Sequence, residues 1–195
     1  TQELLQARRI DGGEQYFSSA YDFGFSKTYD ETFRFWQKNE VLREAVWLIR
    51  KLQPDVIITR FPPDERGGHG HHQASAILAH EAFLAAADPK QFPEQLQEVG
   101  IWQAKRLLWN TASFMRMQGE SKDQLKIDIG NFNPLLGQSY GEISALSRSQ
   151  HKSQGFGSAS SNGRFIESFE YVAGEKASND LFDGIDLTWN RVEGA

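Results

Sequence analysis

Residues 54–75 read PDVIITRFPPDERGGHGHHQAS, a run of β-branched apolar residues followed by a segment rich in glycine and histidine. The run from Asp55 to Phe61 carries apolar side chains on both faces, which is typical of a parallel strand covered by helices on each side. The next segment holds three of the five histidines of the chain, His69, His71 and His72. A buried strand that leads into a helix predicts an α/β fold.

Helical periodicity flanks this stretch on both sides. An apolar stripe from Phe33 to Leu52 predicts a helix that Pro54 ends. The alanine-rich segment 74–87 predicts a second helix, with His72 in its first turn. The two predicted helices would therefore cover the strand between them.

The remaining pattern is weaker and predicts shorter elements. Helices are predicted at residues 4–10 and 140–154, and strands at residues 15–17, 105–109, 125–129, 165–172 and 183–189. Glycine and serine dominate residues 155–163, which predicts a surface loop. We therefore expect a single domain over residues 1–195, in which residues 155–195 form a weakly patterned C-terminal part.

Composition narrows the class of partner. A net charge of −5 and a pI near 5.6 argue against nucleic acid as the main partner and favour a small molecule. The absence of cysteine excludes thiolate metal sites, so that a metal would have to be held by His, Asp or Glu. No apolar stretch reaches the roughly 18 residues that span a bilayer, so we expect a soluble protein without a transmembrane segment.

The spacing of His69 and His72 favours a metal site. Side chains three residues apart in a helical first turn point to one side, and here that side faces the carboxyl end of the predicted strand, where α/β proteins bind ligands. A helix N-terminus also disfavours imidazolium and keeps His72 neutral. Two alternatives stay open: the turn simply caps a helix, or Asp64 or Glu65 supplies a carboxylate to a local metal site with the two histidines.

Three stretches of the chain carry a family resemblance. They are residues 54–60 with Gly68-His69-Gly70-His71-His72-Gln73-Ala74-Ser75, residues 3–7 with 12–22, and Ala145-Leu146 with His151-Lys152-Ser153-Gln154. The first resembles the second motif of the PIG-L/LmbE-like family of metal-dependent de-N-acetylases, commonly His-Pro-Asp-His or His-Gly-Asp-His at the start of a helix. The others resemble the family's helix and strand after its first motif and its later Ala-Leu…His-Lys-Ser-Gln element, in the expected order.

The resemblance implies roles for two histidines. His72 would bind zinc, or another divalent metal, and His69 would stabilise the oxyanion of the tetrahedral intermediate. The family's other two metal ligands and its general base come from a His-Pro-Asp-Asp-Glu segment that this sequence does not contain. We therefore expect the natural N-terminus to lie upstream of Thr1 and the sheet to lack its first strand here. His71 replaces the usual aspartate, which puts the second-shell partner of the metal ligand in question.

The implied fold is a Rossmann-like three-layer arrangement with a mostly parallel sheet. The implied activity is removal of an acetyl group from an N-acetylated amino sugar or its conjugate. Because two ligands are missing from the sequence, we expect this chain alone to be inactive and to bind zinc weakly. The alternative is a non-catalytic carbohydrate-binding or interaction module on the same scaffold, favoured by the missing first motif and by His71.

Overall fold

The computed structural model describes residues 1–111, 124–157, 159–160 and 163–189. In these ranges the helices are α1 (Gln2–Asp11), α2 (Tyr29–Thr32), α3 (Lys38–Leu52), α4 (Gly70–Ala85) and α5 (Tyr140–Arg148). The strands are β1 (Val56–Thr59), β2 (Arg106–Asn110), β3 (Leu125–Asp128), β4 (Phe132–Asn133), β5 (Gln138–Ser139) and β6 (Ile166–Gly174). This mixture of helices and strands confirms the predicted α/β class. None of these helices has the length and apolar character that a bilayer crossing requires.

The chain falls into two compact units, each built from two separate segments. Unit 1 comprises Thr1–Phe17 and Lys126–Glu167, and unit 2 comprises Ser18–Leu125 and Ser168–Ala195. Neither unit is a continuous length of chain. The assignment of residues 1–195 to one domain stays a prediction.

The sheet of unit 2 is mixed. β1 and β2 are parallel, with Val56 opposite Arg106 and Thr59 opposite Trp109. On its other side β2 pairs with β6, which runs antiparallel to it. A parallel pair joined through α4 is a βαβ arrangement, which agrees with the predicted α/β class. The Rossmann-like order of a complete sheet stays a prediction.

β1 is the strand that leads to the histidine segment. Ile57 packs into a buried cluster with Phe83 and Leu107. Ile58 points the other way and is 46% exposed, so the prediction that both faces are covered is wrong for the described residues. Because β-branched residues favour strands whether or not they are buried, the sequence pattern could not distinguish these two faces.

Helix α4 lies between α3 and the sheet. Its Ala82 and Ala85 form a buried cluster with Val46 of α3, and its Phe83 packs against Leu107 of β2. A helix that is apolar around most of its circumference is typically buried, which explains the run of alanines. Burial of Leu107 alone stabilises the fold by about 1.5–3 kcal/mol. The start of α4, where the histidines lie, is thereby held against the sheet.

Arg50 of α3 fixes the other end of α4. Its side chain is buried, with 1% of its surface exposed. The guanidinium donates hydrogen bonds of 2.9–3.2 Å to backbone carbonyls and to one side-chain amide, namely Ala85 O, Ala86 O, Asp88 O, Gln91 O, Phe92 O and Gln95 Oε1. Ala85 and Ala86 lie at the end of α4, and the guanidinium gives their carbonyls a further donor beside the backbone N–H groups of Asp88 and Trp102.

Unit 1 is organised by α1 and α5. α1 ends at Gly12, whose φ of +74° is a left-handed conformation that glycine adopts without strain. α5 begins with a capping box, in which Ser139 and Glu142 each bond the other's backbone N–H. The Ser147 hydroxyl donates to Asp11 at 2.8 Å and links the two helices.

Two predicted strands do not form. Residues 15–17 and 183–189 have no strand pairing, and the aromatic rings of the first segment are exposed. In the second segment the Asp183 carboxylate accepts the backbone N–H groups of Ser178 and Asn179, each at 2.8 Å, which holds the chain in a turn. Local side-chain bonds of this kind compete with strand formation.

The helix predicted from Phe33 to Leu52 is divided. The Thr28 side chain caps α2, residues 33–37 form a turn, and α3 begins after it. Within that turn the Trp36 indole N–H donates to the Tyr21 carbonyl at 2.8 Å. Trp36 thus contacts the segment before α2, although the sequence pattern placed it in one continuous helix.

The helix predicted at residues 140–154 is also shorter than expected. α5 ends at Arg148, and a separate 3-10 turn covers Lys152–Gln154. The loop predicted at residues 155–163 lies partly outside the described residues.

Candidate functional site

The segment between β1 and α4 places three histidines at the start of the helix. The Asp64 side chain accepts the Arg66 N–H at 3.0 Å and caps a short 3-10 turn. Gly68 then adopts a φ of +78°, in the left-handed region that favours glycine. His69 is extended and stands immediately before the first residue of α4. His71 and His72 therefore occupy the first turn of the helix, as the sequence predicted.

His72 is held in one tautomer by the backbone. Its Nδ1 lies 2.9 Å from the Gly67 carbonyl oxygen. Because a carbonyl can only accept, Nδ1 carries the proton and Nε2 keeps its lone pair. The ring stacks on Phe61 with centroids 3.6 Å apart. Burial is the main cause that lowers the pKa of His72, and the neighbouring His69 and His71 lower it further.

His69 lies beside His72. The two rings are nearly parallel, with an interplanar angle of 12° and centroids 5.0 Å apart. The side chain of His69 is exposed, and the Phe25 ring lies roughly perpendicular to it, with ring centroids 5.2 Å apart. The structure thus brings together the two histidines that the sequence singled out, and it leaves His69 accessible to a ligand.

His71 contacts a different set of residues. Its Nδ1 lies 3.0 Å from the Ser26 hydroxyl, which in turn lies 2.8 Å from the Thr32 hydroxyl. Its ring stacks on Phe23 at 4.5 Å and meets the Trp36 ring at 5.4 Å. Its Nε2 is buried and has no hydrogen-bond partner among the described residues. His71 therefore joins the start of α4 to the segment before α2.

Sequence reasoning missed that segment, residues 21–26, which we call the aromatic loop. Phe23 is packed between the rings of His71 and Phe35. Ser26 accepts the backbone N–H of Gly70 at 2.9 Å. The loop thus lies directly against the first turn of α4, and the concentration of aromatic residues was the only signal in the sequence that could have drawn attention to it.

Asp64, an acidic residue shortly before the histidines in the sequence, is already paired. The Asp64 carboxylate accepts hydrogen bonds from Nε and Nη2 of Arg66, at 2.9 and 2.7 Å, and these bonds lower the pKa of Asp64. The Arg66 guanidinium also lies over the Trp109 ring, at 4.8 Å. Within the part of the chain that the structure describes, no three His, Asp or Glu side chains form a group that could hold a metal ion.

His151 belongs to unit 1, whereas His69 and His72 belong to unit 2. It stands before the 3-10 turn that follows α5 and lines a cavity of about 750 Å³ with residues of α1 and α5.

Comparison with known proteins gives one partial similarity. No protein-family model matches the chain. Over 84 residues the chain is 34% identical to a 1D-myo-inositol 2-acetamido-2-deoxy-alpha-D-glucopyranoside deacetylase from Geodermatophilus obscurus. The match covers 41% of this chain and 26% of the relative. The chain is thus similar to part of a deacetylase and spans about a quarter of that protein's length.

Proposed function

We propose that this chain forms part of the active site of a zinc-dependent hydrolase that removes the acetyl group from an N-acetylated amino sugar or its conjugate. The observation that carries the proposal is that His72 and the exposed His69 lie side by side. The hydrogen bond of His72 Nδ1 to the Gly67 carbonyl leaves the lone pair of its Nε2 available for a metal. The partial similarity to a deacetylase whose name describes a 2-acetamido sugar supports the reaction and the substrate class.

His72 fits the role of a metal ligand. Ligating histidines commonly donate their second ring N–H to a carbonyl or carboxylate, and Gly67 supplies such a carbonyl here. The lowered pKa of His72 keeps the imidazole neutral, as coordination requires. When bound, zinc would polarise the amide carbonyl and activate a water molecule. We propose that the other ligands come from outside the described residues, and another divalent metal is an alternative.

His69 would act on the oxygen of the scissile amide. The reaction consumes one water molecule, breaks the C–N bond and yields acetate and a free amine. Negative charge develops on the carbonyl oxygen in the tetrahedral intermediate, and a ring N–H of His69 would donate a hydrogen bond to it. The exposure of His69 and its position beside His72 suit this role.

Zinc titration by calorimetry tests the ligand assignment. We expect the 195-residue chain to bind zinc with a Kd of about 0.1 mM, roughly 5.5 kcal/mol, because one fixed imidazole gives only weak binding. His72→Ala should abolish this binding. His80→Ala is the matched control, since His80 is another partly buried histidine of α4. Equal binding by His72→Ala and the unaltered chain would refute the assignment.

Amine release from N-acetylglucosamine tests the reaction. We expect no deacetylation by the 195-residue chain, and zinc-dependent deacetylation when the family's His-Pro-Asp-Asp-Glu segment, with its strand, precedes Thr1. Comparable rates for the two proteins would contradict the proposal.

A carbohydrate-binding module without chemistry is the second candidate function. An exposed aromatic ring, Phe25, beside the histidines favours it. This alternative predicts that sugar binding does not depend on zinc and that the extended protein releases no amine.

A further inference from the structure

Phe25 is an exposed aromatic side chain on an anchored loop. Its side chain is 75% exposed, although its neighbours are held in place. Ser26, the next residue, is only 2% exposed. On the other side, the Gly24 N–H donates to the Asp22 carboxylate at 2.9 Å. Single exposed apolar residues are common on protein surfaces. Phe25 differs because the contacts of the adjacent residues hold its backbone in place.

Contacts along the aromatic loop fix its position. The Tyr21 carbonyl accepts the Trp36 indole N–H at 2.8 Å. Phe23 is stacked on Phe35 with ring centroids 4.2 Å apart. At the far end, Ser26 bonds Gly70 through its carbonyl and His71 through its hydroxyl. The loop is therefore held before any ligand arrives, so that binding to Phe25 would not have to order it.

The orientation of Phe25 relates it to the candidate site. Its ring meets the His69 ring edge-on, at an interplanar angle of 78° and a centroid distance of 5.2 Å. Because Phe25 is largely exposed, it offers accessible aromatic surface next to His69. A ligand that packs on this surface would place its substituents beside the imidazole.

We propose that Phe25 is the stacking platform for the pyranose ring of an N-acetylated amino sugar. The C–H groups on one face of a pyranose form an apolar surface that suits an aromatic ring, while its hydroxyl groups stay in water. The acetamido group projects from the edge of the sugar ring and would then face His69. This inference rests on the proposed function and adds to it the residue that selects a sugar ring over a simple amide.

Saturation-transfer difference NMR of the 195-residue chain tests the platform, with N-acetylglucosamine, glucose and acetamide as probes. Phe25→Ala should raise the Kd of both sugars about tenfold, which equals about 1.4 kcal/mol, and should leave acetamide unchanged. Phe25→Trp should bind both sugars at least as tightly as the unaltered chain. Phe132→Ala is the control, because Phe132 is an exposed phenylalanine of unit 1, and it should change nothing.

Three results would overturn the platform: no sugar binding by the unaltered chain, equal binding by Phe25→Ala, or an equal loss in Phe132→Ala. Circular dichroism of each variant shows whether it is folded, and Phe25→Trp keeps an aromatic ring if Phe25→Ala does not fold. Amine release by the extended protein separates the two proposals. If sugar binding depends on Phe25 but the extended protein releases no amine, the platform is retained and the proposed deacetylase activity is refuted. If the extended protein deacetylates the sugar and Phe25→Ala does not change the rate, the activity is retained and the platform is refuted.

Discussion

Replacing Gly70 with alanine should detach the aromatic loop from the start of α4. An added Cβ would overlap the Thr28 carbonyl oxygen and would lie 2.6 Å from the Ser26 hydroxyl. The first obstacle is backbone, which cannot rotate out of the way as a side chain can. The loop must therefore move, and the ring of Phe25 must move with it.

The expected loss of stability follows from the contacts that this movement breaks. Three hydrogen bonds join the Ser26 end of the loop to its neighbours, from Gly70 to Ser26, between Ser26 and His71, and between Ser26 and Thr32. Each contributes about 1 kcal/mol, and overpacking costs about 1–3 kcal/mol more. Alanine recovers about 1 kcal/mol through its higher helix propensity. The free energy of unfolding should fall by about 3–5 kcal/mol, so that Tm should drop by about 10 °C.

Thermal and urea denaturation followed by circular dichroism measure this change. Gly100→Ala is the matched control, because a Cβ at Gly100 meets no atom within 4 Å, and its Tm should stay within about 2 °C of the unaltered chain. Gly70→Ala should also weaken sugar binding in the NMR assay, since the platform is displaced. A Gly70→Ala variant as stable as Gly100→Ala would refute the close approach of loop and helix on which this reasoning depends.

Two further predictions concern buried polar groups. Arg50→Met should lower the free energy of unfolding by about 3–5 kcal/mol in urea denaturation, because the hydrogen bonds of the buried guanidinium are lost. Arg43→Met on the same helix removes only an exposed ion pair with Glu40 and should have no measurable effect. Stability should also fall as the pH drops below about 6.5, the ordinary pKa of histidine, and should be constant above it. Burial lowers the pKa of both His72 and His80 in the folded state, so that the unfolded chain takes up protons that the folded chain does not. Urea denaturation from pH 8 to pH 5 measures how the free energy of unfolding changes with pH. A variant that lacks both imidazoles but shows the same pH dependence would contradict the prediction.

The parts of the fold that could be predicted are those with a regular pattern. The run of β-branched residues before the histidines forms β1, and the alanine-rich segment after them forms α4, with His72 in its first turn. The spacing of His69 and His72 also predicted their proximity, although His69 is extended and precedes the first residue of α4. These features depend only on neighbours in the sequence.

The parts that could not be predicted depend on contacts between distant residues. Ser26 and His71 are 45 positions apart, and nothing in the local pattern of either indicates the other. The same is true of the bond between Trp36 and Tyr21, although the sequence pattern placed Trp36 in one continuous helix. The sequence of the aromatic loop has no helical or strand periodicity. Its position beside α4 therefore depends on packing and not on secondary-structure propensity.

The replacement of aspartate by His71 bears on the choice between an enzyme and a binding module. An aspartate at this position was expected to orient the metal ligand, so that its loss argued for a module without chemistry. The Gly67 carbonyl, however, already accepts the Nδ1–H of His72, and a carbonyl orients a ligating imidazole as a carboxylate does. His71 instead bonds Ser26 and holds the aromatic loop. We therefore propose that the replacement does not prevent His72 from binding a metal. The choice between enzyme and module then depends on the remaining ligands, which the comparison of the 195-residue chain with its extended form tests.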